Sequence, residues 1–258
     1  MGIETIVILF FVAFGAGFLD AIAGGGGLIT LPALLMAGVN PLAALATNKF
    51  QSSAATISAT IAYARRGLIE FKTGWPIFCM SFLGSAIGAV LASVIPQSAL
   101  QVLVPILLII VAIYFYLSPK LSNESTRAKL SYFTFCLTMA PVLGFYDGIF
   151  GPGAGSFFMI AFVSLLGFGI LRAIAYTKLG NAASNVGALL VFGVQGAIVW
   201  PVALTMAVGA FIGAQLGARF AVRFGAKVIK PLIIVVCLIM AVKLLLDPSN
   251  PITHFFLK

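Results

Sequence analysis

The chain has 258 residues, of which 62% are hydrophobic and only 8% charged, and its mean hydropathy is +1.17. A soluble domain carries about 25% charged residues, so this chain cannot make a water-facing surface, and lipid must solvate most of it. The net charge of +9 does not point to nucleic acid. It gathers at segment ends (Arg65, Arg66 and Lys72; Lys120, Arg127 and Lys129; Arg219, Arg223, Lys227 and Lys230), which is the positive-inside pattern of cytoplasmic loops.

The first predicted segment covers 4–23. Its apolar run Ile6–Leu19 continues through Ala21 and Ile22 past Asp20. The start of the chain lacks a basic region and carries Glu4, so the segment reads as retained rather than cleaved. The four glycines Gly24–Gly27 then open the backbone before a short segment over 28–39. That segment is too short to span about 30 Å of hydrocarbon alone, and reads as a half-helix or one arm of a re-entrant hairpin. Longer segments follow over 41–65, 73–95 and 98–118. Continuous apolar runs specify helices, not the ten-residue alternating strands of a barrel.

The most polar stretch, Ser118–Lys129, divides the chain into membrane repeats over 1–118 and 130–258, with a cytoplasmic linker over 119–129. The second half restates the first. Gly17-Phe18-Leu19-Asp20 followed by glycines recurs as Gly144-Phe145-Tyr146-Asp147, 127 residues later. Thr47-Asn48-Lys49 recurs loosely as Tyr176-Thr177-Lys178, 129 residues later. Trp75-Pro76, then Gly84, Ile87, Gly88 and Ala89, recurs as Trp200-Pro201, then Gly209, Ile212, Gly213 and Ala214, at an offset of 125. Pro105 matches Pro231. Each half therefore holds about five helical segments, the short one in the second half lying at 155–170. Five crossings per half invert the repeats, a common plan of secondary transporters, and put every basic cluster and Arg172 on one side. The fold class is an all-α, polytopic membrane protein of two repeats with glycine-broken or re-entrant helices.

The duplication carries one Asp and one Lys per half: Asp20 with Lys49, and Asp147 with Lys178. Charges inside membrane segments are costly and mark function, although ion pairing alone also lets such groups survive burial. Glycine breaks at membrane depth expose the N–H groups of the next half-helix, a ready anion site backed by the helix dipole. Gly25, Gly26 and Gly153 are the candidates there. Asn48, Ser52 and Thr56 are spaced by four, as are Asn181 and Asn185, and Lys178 lies three before Asn181, so each set shares a helix face. A lysine among amides suits a small oxyanion. Lys49, Lys178, Asn48, Gln51, Ser52, Asn181 and Asn185 are the expected substrate residues. Asp20 and Asp147 are expected to carry a coupling proton or to fix the loops. Many of the Ser and Thr residues serve equally well as interhelical glue.

Cys79, Cys136 and Cys237 lie inside apolar helices without metal spacing, and His254 is the sole histidine, so no metal or cofactor is expected. The glycine runs lack the Gly-Lys-Ser/Thr ending of a phosphate loop, so any uphill transport draws on a gradient. Two membrane aspartates also admit an intramembrane aspartyl protease, but no Gly-x-Gly-Asp is present and the two Asp arise as repeat copies. A passive anion channel is the third reading.

The segment Gly15–Ser53, with Asp20-Ala-Ile-Ala-Gly-Gly-Gly-Gly and Ala46-Thr-Asn-Lys-Phe-Gln-Ser52, resembles the TauE/SafE sulfite exporter family. Gly144–Gly155 and Thr177-Lys178-Leu179-Gly180-Asn181 resemble the second copy of its motif. The resemblance covers nearly the whole chain. It implies a permease for a sulfur-containing anion, such as sulfite or an organosulfonate, in the bacterial plasma (inner) membrane.

Overall fold

The computed structural model describes residues 2–96, 99, 106, 125 and 127–224. Among these the chain is all-helical, with eight helices: α1 Ile3–Ala23, α2 Gly27–Met36, α3 Pro41–Ala64, α4 Phe71–Val94, α5 Tyr132–Ile149, α6 Ala154–Leu166, α7 Ile170–Val194 and α8 Trp200–Phe224. Most of the predicted segment at 98–118 and of the linker, and Pro105, Pro231, Cys237 and His254, lie outside the described residues.

Helices α1, α4 and α8 are each long and apolar enough to cross a membrane. With 24 and 25 residues, α3 and α7 are equally long, but their polar faces lower their hydropathy. By contrast α2 and α6 have 10 and 13 residues, so at 1.5 Å per residue neither helix is long enough to span the hydrocarbon region by itself. The chain is a multi-pass helical membrane protein.

Local chemistry sets the element boundaries. Asn40 caps α3 by accepting from the Ala43 N–H at 2.9 Å, with Pro41 at the first helical position. Ser131 caps α5 in the same way through the Thr134 N–H at 3.1 Å. Gly24 terminates α1 at φ 77°, its N–H bonded to the Asp20 carbonyl at 2.9 Å. That left-handed geometry favours glycine over any residue with a Cβ.

The long helices pack in crossed pairs. α1 lies along α8, and α4 along α5; α3 packs on α7 and α8, and α7 on α4. No hydrophobic force separates lipid from helix inside a membrane, so small residues that let backbones approach decide such contacts. Gly84 and Gly88 of α4 abut the α5 backbone at Pro141 and Phe145, while Gly144 and Gly148 of α5 abut α4 at Ser81 and Ser85. On the other pair, Gly209, Gly213 and Gly217 of α8 abut Phe10, Phe14 and Phe18 of α1. Outward faces carry exposed apolar residues, among them Phe11, Ile87, Val90, Leu204 and Val208, as a lipid boundary requires. Two polar contacts orient the central helices. The Val199 N–H ahead of α8 donates to Thr47 near the start of α3 at 3.1 Å, and Tyr176 near the start of α7 meets Thr73 at the start of α4 at 2.7 Å.

Candidate functional site

Both glycine breaks come to the middle of the molecule. Gly24 and Gly155 touch backbone to backbone, so closely that neither position has room for a Cβ. Ser156, on the first turn of α6, donates its hydroxyl across this contact to the carbonyls of Ala23 at 2.5 Å and Gly24 at 3.1 Å. The first half-helix of one half is thus tied to the broken end of the other.

Beside this crossing lies a small cavity, lined on one side by Asp20, Gly24, Gly27, Asn48, Ser52 and Thr56 and on the other by Asp147, Gly151, Gly153, Gly155, Asn181 and Asn185. Its volume is about 20 Å³, the scale of one water. A four-atom oxyanion is larger than this space.

The charges pair across the halves. Lys49 on α3 binds Asp147 on α5 at 2.5 Å, and Lys178 on α7 binds Asp20 on α1 at 2.9 Å. The two pairs are built differently. Lys49 also donates to the Asp147 backbone carbonyl, one of the last-turn carbonyls that a broken helix leaves without an intrahelical donor. The second oxygen of Asp147 accepts from Asn181 Nδ2 at 3.3 Å and from the Ser184 hydroxyl. Asp20 has fewer contacts: its Oδ1 accepts from the Gly26 N–H at 3.1 Å and its Oδ2 from Lys178. The Asp20 side chain is 15% exposed, against 3% for Asp147. The two carboxylates are taken up by lysines and neutral donors rather than by each other, unlike a protease dyad, which shares a proton.

The polar wall carries free hydrogen-bonding capacity. Asn48 Oδ1 accepts from Thr30 at 2.6 Å and from Gln51 at 3.5 Å. Its Nδ2 makes no hydrogen bond among the described residues and sits beside Gly27, the first residue of α2. The N–H groups of Gly27 and Gly155, in the first turns of α2 and α6, have no backbone acceptor either, as expected for helix N-termini. Asn185 donates to the Asn181 carbonyl at 2.8 Å, and its Oδ1 has no hydrogen-bond partner among the described residues.

Of the expected site residues, Asn48, Ser52, Asn181, Asn185, Gly153, Asp20 and Asp147 line the cavity. Lys49 and Lys178 stand directly behind its carboxylates. Gln51 is not among the lining residues: it donates to Ser52 at 2.8 Å, and its Oε1 is buried without a partner among the described residues. Gly26 is committed to Asp20, and Gly25 lies outside the lining. Gly24, Gly27, Gly151 and Gly155 take those positions instead. Thr30, Ser156 and Ser184 support the site without having been expected there; a hydroxyl one turn from a site residue gives no sequence signal that separates it from helix glue.

Comparison with known proteins adds an independent finding. Residues 9–244 match the family model described as sulfite exporter TauE/SafE. The chain is 48% identical over 252 residues to a probable membrane transporter protein of Sinorhizobium sp., covering 98% of this chain and 97% of that one. It is 45% identical over 240 residues to the probable membrane transporter protein YfcA of Escherichia coli strain K12, covering 93% and 89%. A probable membrane transporter protein of Haemophilus influenzae is 41% identical over 247 residues, covering 96% and 97%. No solved structure matches.

Proposed function

We propose that this chain, which belongs to the sulfite exporter TauE/SafE family, is a secondary carrier that moves a small sulfur-containing anion across the bacterial plasma membrane by alternating access. The observation that carries the reading is the cavity itself. Two half-helix N-termini converge on it, and the unbonded Asn48 Nδ2 lies beside one of them. Backbone N–H groups and the helix dipole favour an anion there. Asn48, Ser52, Asn181 and Asn185 would orient its oxygens, and Lys178 and Lys49 would supply the positive charge that attracts it. The matched relatives are probable membrane transporters, which supports a carrier, and the family description names sulfite, which supports a sulfur oxyanion.

The carrier would consist of two inverted repeats, 1–118 and 130–258, joined by the linker over 119–129. Three relationships support that plan. Lys49 pairs into the second half as Lys178 pairs into the first. The α1–α8 packing mirrors the α5–α4 packing. The start of α3 lies by the start of α8, whereas the end of α3 leads to the start of α7, so α3 and α7 run in opposite directions. A cavity with room for about one water fits a carrier that must rearrange rather than an open channel.

Flux of ³⁵S-labelled sulfite and of methanesulfonate into proteoliposomes, with acetate as the comparison anion, tests the reading. Uptake of either sulfur anion is expected. Absence of both fluxes, or undiminished flux after Lys49→Ala combined with Lys178→Ala, overturns it.

A further inference from the structure

We infer that the two ion pairs divide the work of transport: Asp20 is the proton-carrying coupling residue, and Asp147 is a fixed anchor. This rests on the carrier reading above. The difference lies in the surroundings. The Asp147 carboxylate accepts from Lys49, Asn181 and Ser184, so protonating it would weaken three buried contacts at once. Asp20 receives only the Gly26 N–H and Lys178, and it is the more exposed of the two carboxylates at the cavity wall.

Charge balance then sets the coupling. Lys178 is fully buried, and Asp20 is its sole hydrogen-bond partner among the described residues. Water-excluded charge is not stable alone. When a proton from bulk water on one side forms an O–H bond on the Asp20 carboxylate, Lys178 keeps its positive charge without a counterion. A monovalent anion entering the cavity replaces that counterion. On the other side the O–H bond breaks, the proton returns to water, the anion leaves, and Asp20 recaptures Lys178. Empty and loaded carriers are both neutral, so one proton travels with each monovalent anion, and transport is insensitive to voltage.

The other ionisable groups around Asp20 do not supply this function. On α7 there is Lys178 itself; on α5, Asp147, held by Lys49 of α3. Tyr63 of α3 is buried and donates to the Ala21 carbonyl at 2.8 Å. On α8, which packs on α1, Arg219 is exposed. Neither α2 nor α6 has an ionisable side chain. The same proton gives the Gly26 loop its signal: neutral Asp20 accepts more weakly from the Gly26 N–H, which loosens the break ahead of α2 as substrate binds.

The test uses full-length protein in proteoliposomes, with internal pH and ³⁵S uptake followed together. The probe is methanesulfonate, whose charge does not change with pH, or sulfite if that is the anion the wild type carries. The wild type is expected to move one proton per methanesulfonate with no response to an imposed potential. Asp20→Asn is expected to lose the proton movement, to slow at least tenfold, and to become voltage-sensitive, because its empty form carries the Lys178 charge. Asp20→Glu is expected to restore proton movement. Anion flux in the wild type without protons, or proton movement persisting in Asp20→Asn, overturns this inference and leaves the carrier reading intact. A wild type that carries neither anion overturns both. Should Asp20→Asn not fold, the proton count and voltage response of the wild type decide.

Discussion

Lys49 and Asp147 lie 98 residues apart in sequence, yet their charged groups meet at 2.5 Å, with both side chains at most 3% exposed. The contact joins the middle of α3 to the broken end of α5. Lys178 and Asp20 make the converse connection from α7 to α1. Neither half therefore completes its own charge complement, and the helix breaks are held in place by the opposite half.

Breaking the anchored pair should cost stability. Removing one member of a buried pair leaves an uncompensated charge, worth about 3–5 kcal/mol. Lys49→Met alone and Asp147→Asn alone are each expected to lower the unfolding midpoint in detergent. The double variant is expected to recover part of the loss, because no charge remains stranded. Thermal unfolding of the three proteins checks this; strictly additive losses would argue against a direct pair.

Asn48 should matter through its donor. Its Nδ2 lies beside Gly27 and has no hydrogen-bond partner among the described residues, so Asn48→Ala is expected to remove one hydrogen bond to the anion. A bond to a charged group is worth about 1.5–3 kcal/mol, and half-saturation is expected to rise about 10- to 100-fold. Asn48→Asp replaces the donor with a negative charge and is expected to abolish uptake. Concentration dependence of ³⁵S uptake checks both; an Asn48→Asp protein with wild-type half-saturation would remove Asn48 from the site.

How much of this was readable beforehand follows from what each signal encodes. Glycine runs and apolar lengths mark helix breaks directly, so α1 through α4 match the expected segments to within about three residues. The repeat matches picked out Asp20, Asp147, Lys49 and Lys178, because charge in an apolar chain stands out. Which lysine takes which carboxylate is a tertiary fact, and the sequence spacing within each half carries no trace of the exchange. Among the glycines, the sequence points to Gly25, Gly26 and Gly153, but consecutive glycines carry no signal that separates their roles. Only the backbone path distinguishes Gly27 and Gly155, which line the cavity, from Gly26, whose N–H serves Asp20.

The glycine-lined helix contacts yield a paired expectation. A Cβ on Gly84 would collide with the Pro141 carbonyl, and one on Gly148 with that of Ser85. Gly84→Ala and Gly148→Ala are each expected to destabilise by about 1–3 kcal/mol through overpacking. Gly15 also lies inside a helix but meets nothing within 4 Å, so Gly15→Ala is expected to be neutral or slightly stabilising. Comparison of detergent unfolding midpoints checks the contrast; equal effects at Gly15 and Gly84 would mean that α4 and α5 are not in backbone contact.

Inversion makes the sharpest topological prediction. The plan of five crossings per half puts the α3–α4 turn in the cytoplasm and the α7–α8 turn outside, whereas parallel halves put both on one side. Arg65 and Gln195 mark these turns, and both are exposed. Arg65→Cys and Gln195→Cys, each in a chain lacking Cys79, Cys136 and Cys237, can be labelled in intact cells with a membrane-impermeant maleimide. Gln195→Cys is expected to react in intact cells, and Arg65→Cys only after the membrane is opened. The positive-inside rule points the same way, because Arg65 and Arg66 flank one turn while the other, Gln195–Val199, has no basic residue. Labelling of both from outside would make the halves parallel, and α2 and α6 would then return to the side they started from. The two half-helices would in that case enter from one face only, and alternating access through a pseudo-symmetric exchange would lose its structural basis.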